Sequence, residues 1–466
     1  MVQSFCFCRK FTILALKICI LRFLELFLYA INYKTNKLNT MIHSFYVENF
    51  LSIRDRQEIS FVTTADKTVR DLVAVEVKPN VYINKLGIFY GANASGKSNV
   101  LFALEAIFSL LCVTCYDKDK NIAQYMPFAL SDGESTSMGV VFYKDGVKYS
   151  YEVSYCRTHI ISEKLEYCRS RSDAEFYTRE YVAVDKQPKI TFGGTLKLSA
   201  KTRNTIVDNT FNNHTVLSTL AKVSLNDGAS TMIDLYNWVK NRVHNVDGDY
   251  VSKSMIIEIN KVCGDSLKKQ FYLNLLNKAD FNITNISIVD NTNEYPSQLV
   301  EQIRSSNMPD DEKFSILNDV SFTNHSDNGD FEVKSNFQSD GTKRFTELMD
   351  YLYDLVKENH IYLFDELGNR MHYDLMVYYI ALMLYNSDQS QLFFTTHNIL
   401  LLEEDFIRRD MVYLVEKDKS SAVSSYTRVS DMGLHKNLSL YNAYKIGRLG
   451  AKPDLGSPYL DNIKEC

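Results

Sequence analysis

The sequence lacks the features that mark a secreted disulfide scaffold, a structural zinc module or a protein whose whole surface is basic enough to bind nucleic acid. Its nine cysteines are scattered along 466 residues. Cys112 and Cys115 form a C-x-x-C motif, but the sequence has no second pair of cysteines or histidines with the spacing of zinc ligands. We therefore expect these two cysteines to be buried thiols. The formal net charge is only −5, which excludes a basic surface overall but leaves room for a local basic patch. A reducing, cytoplasmic environment is therefore expected.

A long uninterrupted apolar run is also missing. The most apolar stretch, residues 11–31, is broken by three charged side chains, Lys17, Arg22 and Glu25. Charges at the centre of a bilayer are costly, and no small-residue cleavage site follows the stretch. We therefore expect residues 1–40 to be an apolar leader that precedes the natural start at Met41, and no membrane association. A genuine membrane-associated helix is the alternative.

The most informative motif lies at residues 91–98, which read G-A-N-A-S-G-K-S. This segment fits the pattern G-x-x-x-x-G-K-[ST], with a buried strand predicted before it and a helical apolar spacing after it. Strand, glycine loop and helix together direct backbone N–H groups at one point and so predict a phosphate site. The candidate nucleotide-binding residues are Gly91, Asn93, Ala94, Ser95, Gly96, Lys97, Ser98 and Asn99.

Two residues of this loop are predicted to have specific chemical roles. Lys97 is expected to neutralise the β- and γ-phosphates of a nucleotide, which makes it a catalytic candidate as well. Ser98 is expected to offer its hydroxyl as a ligand to Mg²⁺. The sequence therefore predicts a site for a magnesium–nucleotide complex.

An apolar strand that ends in two acids follows much later in the chain. Residues 361–364 read I-Y-L-F and precede Asp365 and Glu366. A strand end can place Asp365 beside the P-loop, where its carboxylate would bind Mg²⁺ directly or through water. Glu366 is then the candidate that polarises the attacking water.

Three further polar positions are candidates for the same site. His397 follows the apolar strand 391–396 and could reach a γ-phosphate or its water. Ser339 and Gly341 stand at a helix entry, where N–H groups form a phosphate-sized nest. Gln124 is a weaker candidate for a glutamine that contacts Mg²⁺ and water.

The remaining patterns predict an α/β protein in four parts. After the leader (1–40), residues 41–200 hold the P-loop and an antiparallel β lobe, with strands predicted at 138–142, 149–155, 160–167 and 176–184. Residues 201–336 carry helical spacing at 216–223, 232–239 and 255–262, a charged loop at 310–313 and a strand at 281–289 that returns to the core; heptads are absent. Residues 337–466 complete the nucleotide domain.

With these motifs in order, the chain resembles ABC-type ATPases of the SMC/RecF kind. It is more similar to the AAA-type ATP-binding proteins of anti-phage, abortive-infection systems, such as the ATPase subunits of PARIS-, Septu- and OLD-type defence. The resemblance is carried by the opening at 41–52, the P-loop, the Ser339-Asp340-Gly341-Thr342 signature, Thr395-Thr396-His397 and the tail at 444–453. Gly368 departs from the proline or aspartate of many relatives.

This resemblance implies an ABC-type P-loop NTPase head with a mixed central sheet, an antiparallel β lobe and an inserted, mainly helical arm. It also implies ATP and Mg²⁺ as cofactors and a homo-oligomer that is at least a head-to-head dimer. In that family, the signature residues, here Ser339 and Gly341, cap the γ-phosphate bound by the other subunit. ATP would then join two heads, and hydrolysis would release them.

Three functions are open at this point. The first is a defence ATPase that senses a phage-derived trigger and controls a separate toxic effector, such as a nuclease. The second is a RecF- or SMC-like ATPase that clamps DNA through a basic stripe, for which the candidates are Lys240, Arg242, Lys268, Lys269 and Arg304. The third, a self-contained nuclease, needs a further acidic domain after His397, and the tail is short and has no carboxylate cluster. The first function is favoured.

Overall fold

The computed structural model describes residues 40–169, 172–225, 229–246, 251–435 and 438–453; side chains of 251–254 are not described. Residues 1–39 of the predicted leader therefore lie outside the described residues. Within the described ranges, none of the helices combines the length and the apolar character that crossing a bilayer demands.

The strands of the described residues are, in chain order, β1 (Met41–Glu48), β2 (Gln57–Ser60), β3 (Ala74–Lys78), β4 (Val81–Asn84), β5 (Leu86–Gly91), β6 (Thr136–Lys144), β7 (Val147–Tyr155), β8 (Ile160–Cys168), β9 (Ala174–Val182), β10 (Gln187–Phe192), β11 (Val243–Val246), β12 (Ile283–Asp290), β13 (Asn318–Asn324), β14 (Phe331–Lys334), β15 (Ile361–Phe364), β16 (Gln391–Thr396), β17 (Val412–Lys417) and β18 (Ser424–Arg428). The α-helices are α1 (Arg70–Val73), α2 (Lys97–Cys112), α3 (Ala200–Asn209), α4 (Ser230–Arg242), α5 (Val251–Gly264), α6 (Ser266–Lys278), α7 (Ser297–Ser305), α8 (Asp310–Leu317), α9 (Asp340–Lys357), α10 (Tyr373–Asn386) and α11 (Leu440–Lys445).

A seven-stranded antiparallel sheet forms the β lobe. Its strand order is β10-β9-β8-β7-β6-β1-β2. The hairpin β6–β7 turns at Asp145 and Gly146, both of which have positive φ, as the D-G pair in the sequence predicts. The four strands predicted after the P-loop helix are confirmed and extend this sheet.

A six-stranded sheet carries the P-loop strand at its interior. Its order is β11-β15-β16-β5-β17-β18. The first five strands run parallel and β18 pairs antiparallel with β17. Because parallel strands end at one edge, the segments that follow β5, β15 and β16 converge there. The sheet thus brings distant parts of the chain to one place.

Side chains of the central strands alternate between two hydrophobic cores. Phe89, Phe393 and Tyr413 lie in the core that the central sheet shares with the β lobe and α2. Ile88 and Phe394 lie on the opposite face, in a second core shared with α9 and α10. Burial on both faces explains why these strands read as continuous apolar runs in the sequence.

The region between residues 201 and 336 differs from the expectation in three ways. Its strand β12 exists but does not return to the central sheet, since it pairs with β13 in a separate three-stranded sheet. Conversely, β11 joins the central sheet as an edge strand beside β15. The charged segment 310–313 is the first turn of α8 rather than a loop, where its acids favour the helix N-terminus.

Of the three helices predicted in this region, two are confirmed and one is not. Residues 232–239 and 255–262 fall inside α4 and α5 as expected. Residues 216–223 instead contain only a short 3₁₀ turn, Ser218–Ala221. The molecule is thus an α/β protein with a mixed central sheet, an antiparallel β lobe and a mainly helical intervening region. The residue boundaries between its parts remain a prediction.

Candidate functional site

The P-loop begins where β5 ends and continues directly into α2. A Cβ on Gly91 would lie 2.4 Å from the carbonyl oxygen of Val415, so no larger residue fits. Gly96 has φ +100°, and a Cβ there would lie 2.6 Å from Ser52 Oγ. Both glycines are therefore required for the backbone to pass this close to its neighbours.

The N-terminus of α2 is prepared for an anion. No acidic side chain occupies its first turn, so the helix N–H groups are not capped by a carboxylate. Ala94 has φ +61°, and together with Asn93 it lies on the exposed side of the loop, whereas Ser95 is buried. Ser95 Oγ has no hydrogen-bond partner within the described residues.

Lys97 is folded against its own loop. Its Nζ donates to the carbonyl oxygens of Gly91 and Ala92, at 3.0 Å each. Burial lowers the pKa of Lys97, and the carboxylates of Glu366 and Asp365 act in the opposite direction. The ammonium is thus kept inside the loop, with two acids close enough to sustain its charge.

Ser98 and Asp365 meet across the end of the central sheet. Ser98 Oγ lies 2.8 Å from each carboxylate oxygen of Asp365. Thr395 Oγ1, at the end of β16, donates to Asp365 Oδ1 at 2.6 Å. A carboxylate and a hydroxyl in contact at the mouth of a P-loop are oxygen ligands of the kind that Mg²⁺ prefers. These residues therefore fit the predicted metal.

Glu366 is held by two residues at the end of β16. Its backbone N–H donates to Thr395 Oγ1 at 2.8 Å, and its Oε1 lies 2.7 Å from His397 Nε2. Burial raises the pKa of Glu366, while His397 and Lys97 oppose that rise. Its φ of +53° is left-handed, a strain found for non-glycine residues at functional sites.

Ser339 and Gly341 lie at the start of α9 and have local partners. Ser339 Oγ caps the helix by accepting from Thr342 N at 3.0 Å, and its side chain is exposed. A Cβ on Gly341 would lie 3.6 Å from the carbonyl oxygen of Arg370. In the described part of the chain, no hydrogen bond joins this signature to the P-loop. The structure thus brings together the P-loop, Asp365, Glu366 and His397, and leaves the signature facing outward.

Sequence reasoning missed the residues that support the P-loop from behind. Ser424 Oγ donates to Ser95 O at 2.6 Å and lies 2.7 Å from Ser52 Oγ. Tyr426 OH donates to Gly96 O at 2.6 Å. Alternation in β18 could have marked Ser424 and Tyr426 as sharing one face, but no local pattern names their partner. Asn99 belongs to the same support, since its Nδ2 donates to Ser52 Oγ at 2.6 Å.

Gln124 is not part of this site. Its side chain donates to Ser109 Oγ at 2.7 Å. Ser109 lies eleven residues after Ser98 on α2, which corresponds to roughly 16 Å along a helix. The expectation that Gln124 contacts Mg²⁺ and water is therefore wrong.

A cavity of about 890 Å³ opens beside the P-loop. The P-loop and His397 form one side, and the turn after β17 with the tail residues Tyr444, Ala451, Lys452 and Pro453 forms the other. Tyr444 OH donates to Ala451 O at 2.9 Å, and Ala451 N donates to Glu416 Oε1 at 2.8 Å. The tail is therefore fixed in place as a wall of this cavity.

These features define the class of protein. A P-loop on an interior parallel strand, an acidic pair after the next strand but one and a histidine after the strand between them form the site of a P-loop NTPase. The particular family follows from a sequence model that matches residues 88–403, from the P-loop strand past His397. The chain belongs to the family described as "AAA domain, putative AbiEii toxin, Type IV TA system".

Solved structures show a more distant similarity. The SMC head domain from Thermotoga maritima is 13% identical, with 84% of this chain and 99% of that chain covered and a TM-score of 0.39. An SMC head bound to the C-terminal winged-helix domain of ScpA is 15% identical over 86% and 99%, at 0.38. RecF with ATP is 12% identical over 84% and 98%, at 0.34. Among curated proteins, none matches this sequence.

Proposed function

We propose that this protein binds and hydrolyses ATP with Mg²⁺ and belongs to a prokaryotic anti-phage, abortive-infection system. In this proposal it is a sensor or scaffold that controls a separate toxic effector through ATP-dependent dimerisation of its heads. The observation that carries the enzymatic part is the contact of Ser98 with Asp365 at 2.8 Å, next to Lys97 and the Glu366–His397 pair.

The chemistry follows from what each side chain can do. Lys97 would exchange its two loop carbonyls for the β- and γ-phosphate oxygens. Ser98 and Asp365 would hold Mg²⁺, which neutralises charge on the phosphates when bound. Glu366 would accept a proton from the attacking water, and His397 would orient Glu366 and contact the γ-phosphate.

The defence role and the dimer draw on the family and on the signature. The family description names an abortive-infection toxin and a toxin–antitoxin system. Ser339 is exposed and is not bonded to its own P-loop, which suits a role at the nucleotide of a second copy. A dimer held by ATP is a population shift that requires tighter ATP binding in the closed state.

The DNA-clamp alternative is weakened because two of its candidate cations are bonded to other groups of the protein. Arg242 donates to the backbone carbonyls of Glu358 and Asn359. Lys268 forms an ion pair with Asp350. Two of the five candidates are thus engaged within the protein, so the proposed basic stripe loses continuity.

Two variants test the enzymatic proposal. Lys97→Ala should abolish ATP binding, measured by titration calorimetry, because the main cation of the loop is lost. Glu366→Gln should keep ATP binding, slow hydrolysis by about 100-fold or more and accumulate ATP-bound dimers on size-exclusion chromatography. Glu301→Gln, an exposed acid on α7, is the matched control and should behave as wild type. Wild-type hydrolysis by Glu366→Gln would show that the base is a different residue.

A phage-challenge assay tests the defence role separately. Cells that express the protein with its neighbouring gene should survive infection as a culture, and Lys97→Ala or loss of the neighbouring gene should remove that protection. Equal protection by the protein alone would contradict a separate effector. Absence of protection together with DNA-stimulated ATP hydrolysis would favour the DNA-clamp alternative.

A further inference from the structure

The tail that follows α11 is held more tightly than a connecting segment requires. Gly450 and Ala451 both have left-handed backbones, with φ of 68° and 55°. A Cβ on Gly450 would lie 2.3 Å from Glu416 Oε1. Ala451 is strained because it is not a glycine, and a strained residue persists only where its surroundings determine its conformation. The backbone at 450–451 is therefore fixed beside the end of β17.

The same tail is connected to the P-loop strand and to the segment that carries His397. The ring of Tyr444, in α11, has its centroid 6.5 Å from that of Tyr90, the β5 residue before Gly91. Tyr90 OH donates to the carbonyl oxygen of Asn398, which follows His397, at 3.2 Å. These contacts fix the tail relative to both sides of the proposed γ-phosphate position.

Lys452 is the cation that this fixed tail brings to the cavity. It directly follows Ala451, is exposed, and lines the cavity of about 890 Å³ together with residues 91–95 of the P-loop. Its Nζ donates to the carbonyl oxygen of Lys445, in the last turn of α11, at 2.7 Å. Lys97 likewise donates to neutral carbonyls. An ammonium on a flexible four-carbon stem can exchange such an acceptor for a phosphate oxygen, which forms the stronger, charge-assisted hydrogen bond.

The acids of the cavity are bonded to donors of the protein. Glu416 Oε1 accepts from Ala451 N at 2.8 Å. Asp418 Oδ1 accepts from the backbone N–H groups of Ser420 and Ser421. Among the described residues, the lysines that line this cavity are Lys417, Lys419 and Lys452. The lining thus suits an anionic ligand.

The cavity adjoins the outermost phosphate of the proposed ligand. Under the proposed function, on which this inference rests, Glu366 activates the water that attacks the γ-phosphorus. His397 lies 2.7 Å from Glu366 and also lines this cavity. The tail therefore faces the γ-phosphate end of the site.

We propose that Lys452 binds the γ-phosphate of the nucleotide held by its own chain, and so makes the site selective for nucleoside triphosphates over diphosphates. When a triphosphate binds, Lys452 Nζ leaves the carbonyl of Lys445 and donates to a γ-phosphate oxygen. ADP has no phosphate at this position, so with ADP the side chain stays on Lys445 and adds nothing to affinity.

The test compares two nucleotides in the full-length protein by titration calorimetry with Mg²⁺ present. Lys452→Gln should weaken binding of the non-hydrolysable ATP analogue AMP-PNP by about ten- to a hundredfold, because a hydrogen bond to a charged group is lost. Its affinity for ADP should equal that of the wild type. Lys452→Arg should keep most of the selectivity, because it keeps the positive charge.

Lys445→Gln is the matched control on the same tail. It keeps the backbone carbonyl that holds Lys452, and the Lys445 side chain lies over the ring of Tyr441 instead. Both affinities should be those of the wild type. Gly450→Ala is an independent second variant, because a Cβ on this left-handed backbone displaces the tail from Glu416. It should reproduce the selective loss of AMP-PNP affinity.

Two results with Lys452→Gln would overturn the inference and leave the proposed function intact. Equal losses of AMP-PNP and ADP affinity would show that Lys452 acts on the fold or on the phosphates that both nucleotides share. Unchanged affinity for both nucleotides would show that the tail does not contact the ligand. A wild-type protein that bound neither nucleotide would instead overturn the proposed function, and the inference with it.

Discussion

Glu347 is the residue whose environment makes the clearest statement about pH. Its side chain is 9% exposed, and burial raises its pKa from 4.5 to about 7. At pH values between 4.5 and about 7, Glu347 keeps its proton in the folded protein but has lost it in the unfolded chain. The free energy of unfolding therefore falls as the pH rises through this range. At 1.36 kcal/mol per pKa unit, this loss amounts to about 3 kcal/mol.

We predict that Glu347→Gln removes this pH-dependent loss. The wild type should lose about 3 kcal/mol of unfolding free energy between pH 5 and pH 8 relative to the variant, because glutamine has no proton to release. Urea denaturation at both pH values measures the difference. Glu332→Gln, an exposed acid on β14, should keep the wild-type slope; a slope unchanged in Glu347→Gln would show that the carboxyl is not perturbed.

Among the elements, β18 supports the P-loop although the two are far apart in the sequence. It pairs with β17 at the edge of the central sheet, yet its side chains bond to two carbonyl groups of the P-loop, those of Ser95 and Gly96. A loop that must present its N–H groups to phosphate benefits when its carbonyls are turned away and bonded elsewhere. The edge strand thus fixes the backbone of the P-loop.

We predict that Tyr426→Phe weakens ATP binding by about five- to tenfold, since one hydrogen bond contributes about 1 kcal/mol. Titration calorimetry measures the affinity, and urea denaturation the stability. Tyr413→Phe is the control, because Tyr413 OH bonds to Ser60 N and O on β2 instead. It should lose similar stability without losing affinity. Equal loss of affinity in both variants would contradict a specific role for β18.

At the scale of the whole molecule, a buried charge network ties the β lobe to the chain that leaves it. Glu163 and Arg179 are fully buried, 3.8 Å apart. Arg179 donates to the carbonyls of Phe211, Asn212 and His214, and Glu163 accepts from Tyr177 OH and Val216 N. The segment 211–216 is thereby fixed on the sheet before the chain proceeds to α4 and the central sheet.

We predict that Arg179→Met destabilises the protein by about 3–5 kcal/mol, because it leaves Glu163 buried without its cation. Urea denaturation measures the loss. The double variant Arg179→Met/Glu163→Gln should recover part of it, since the uncompensated charge is then gone. If the losses of unfolding free energy caused by the two single substitutions simply added up in the double variant, the two residues would not act as a pair.

Contiguous motifs could be predicted from the sequence because their chemistry is local. The P-loop needs only one strand, one turn and one helix, all within residues 86–112, and Asp365, Glu366 and His397 directly follow apolar strands. Parallel strands end at a shared edge, so these separate pieces were expected to meet, and their contacts agree with that expectation.

Other features were decided by the tertiary structure alone. Ser52 and Ser424 support the P-loop although they are 372 positions apart in the chain. Strand β12 lies outside the central sheet, and β11 belongs to it. Arg344 Nε, Arg344 Nη2 and Glu347 Oε2 are buried with no hydrogen-bond partner among the described residues. Local spacing specifies which face of a strand or helix is apolar, but not which remote element will cover it. Which remote element covers that face depends on how the two hydrophobic cores pack around the central sheet, and a short motif does not specify this packing.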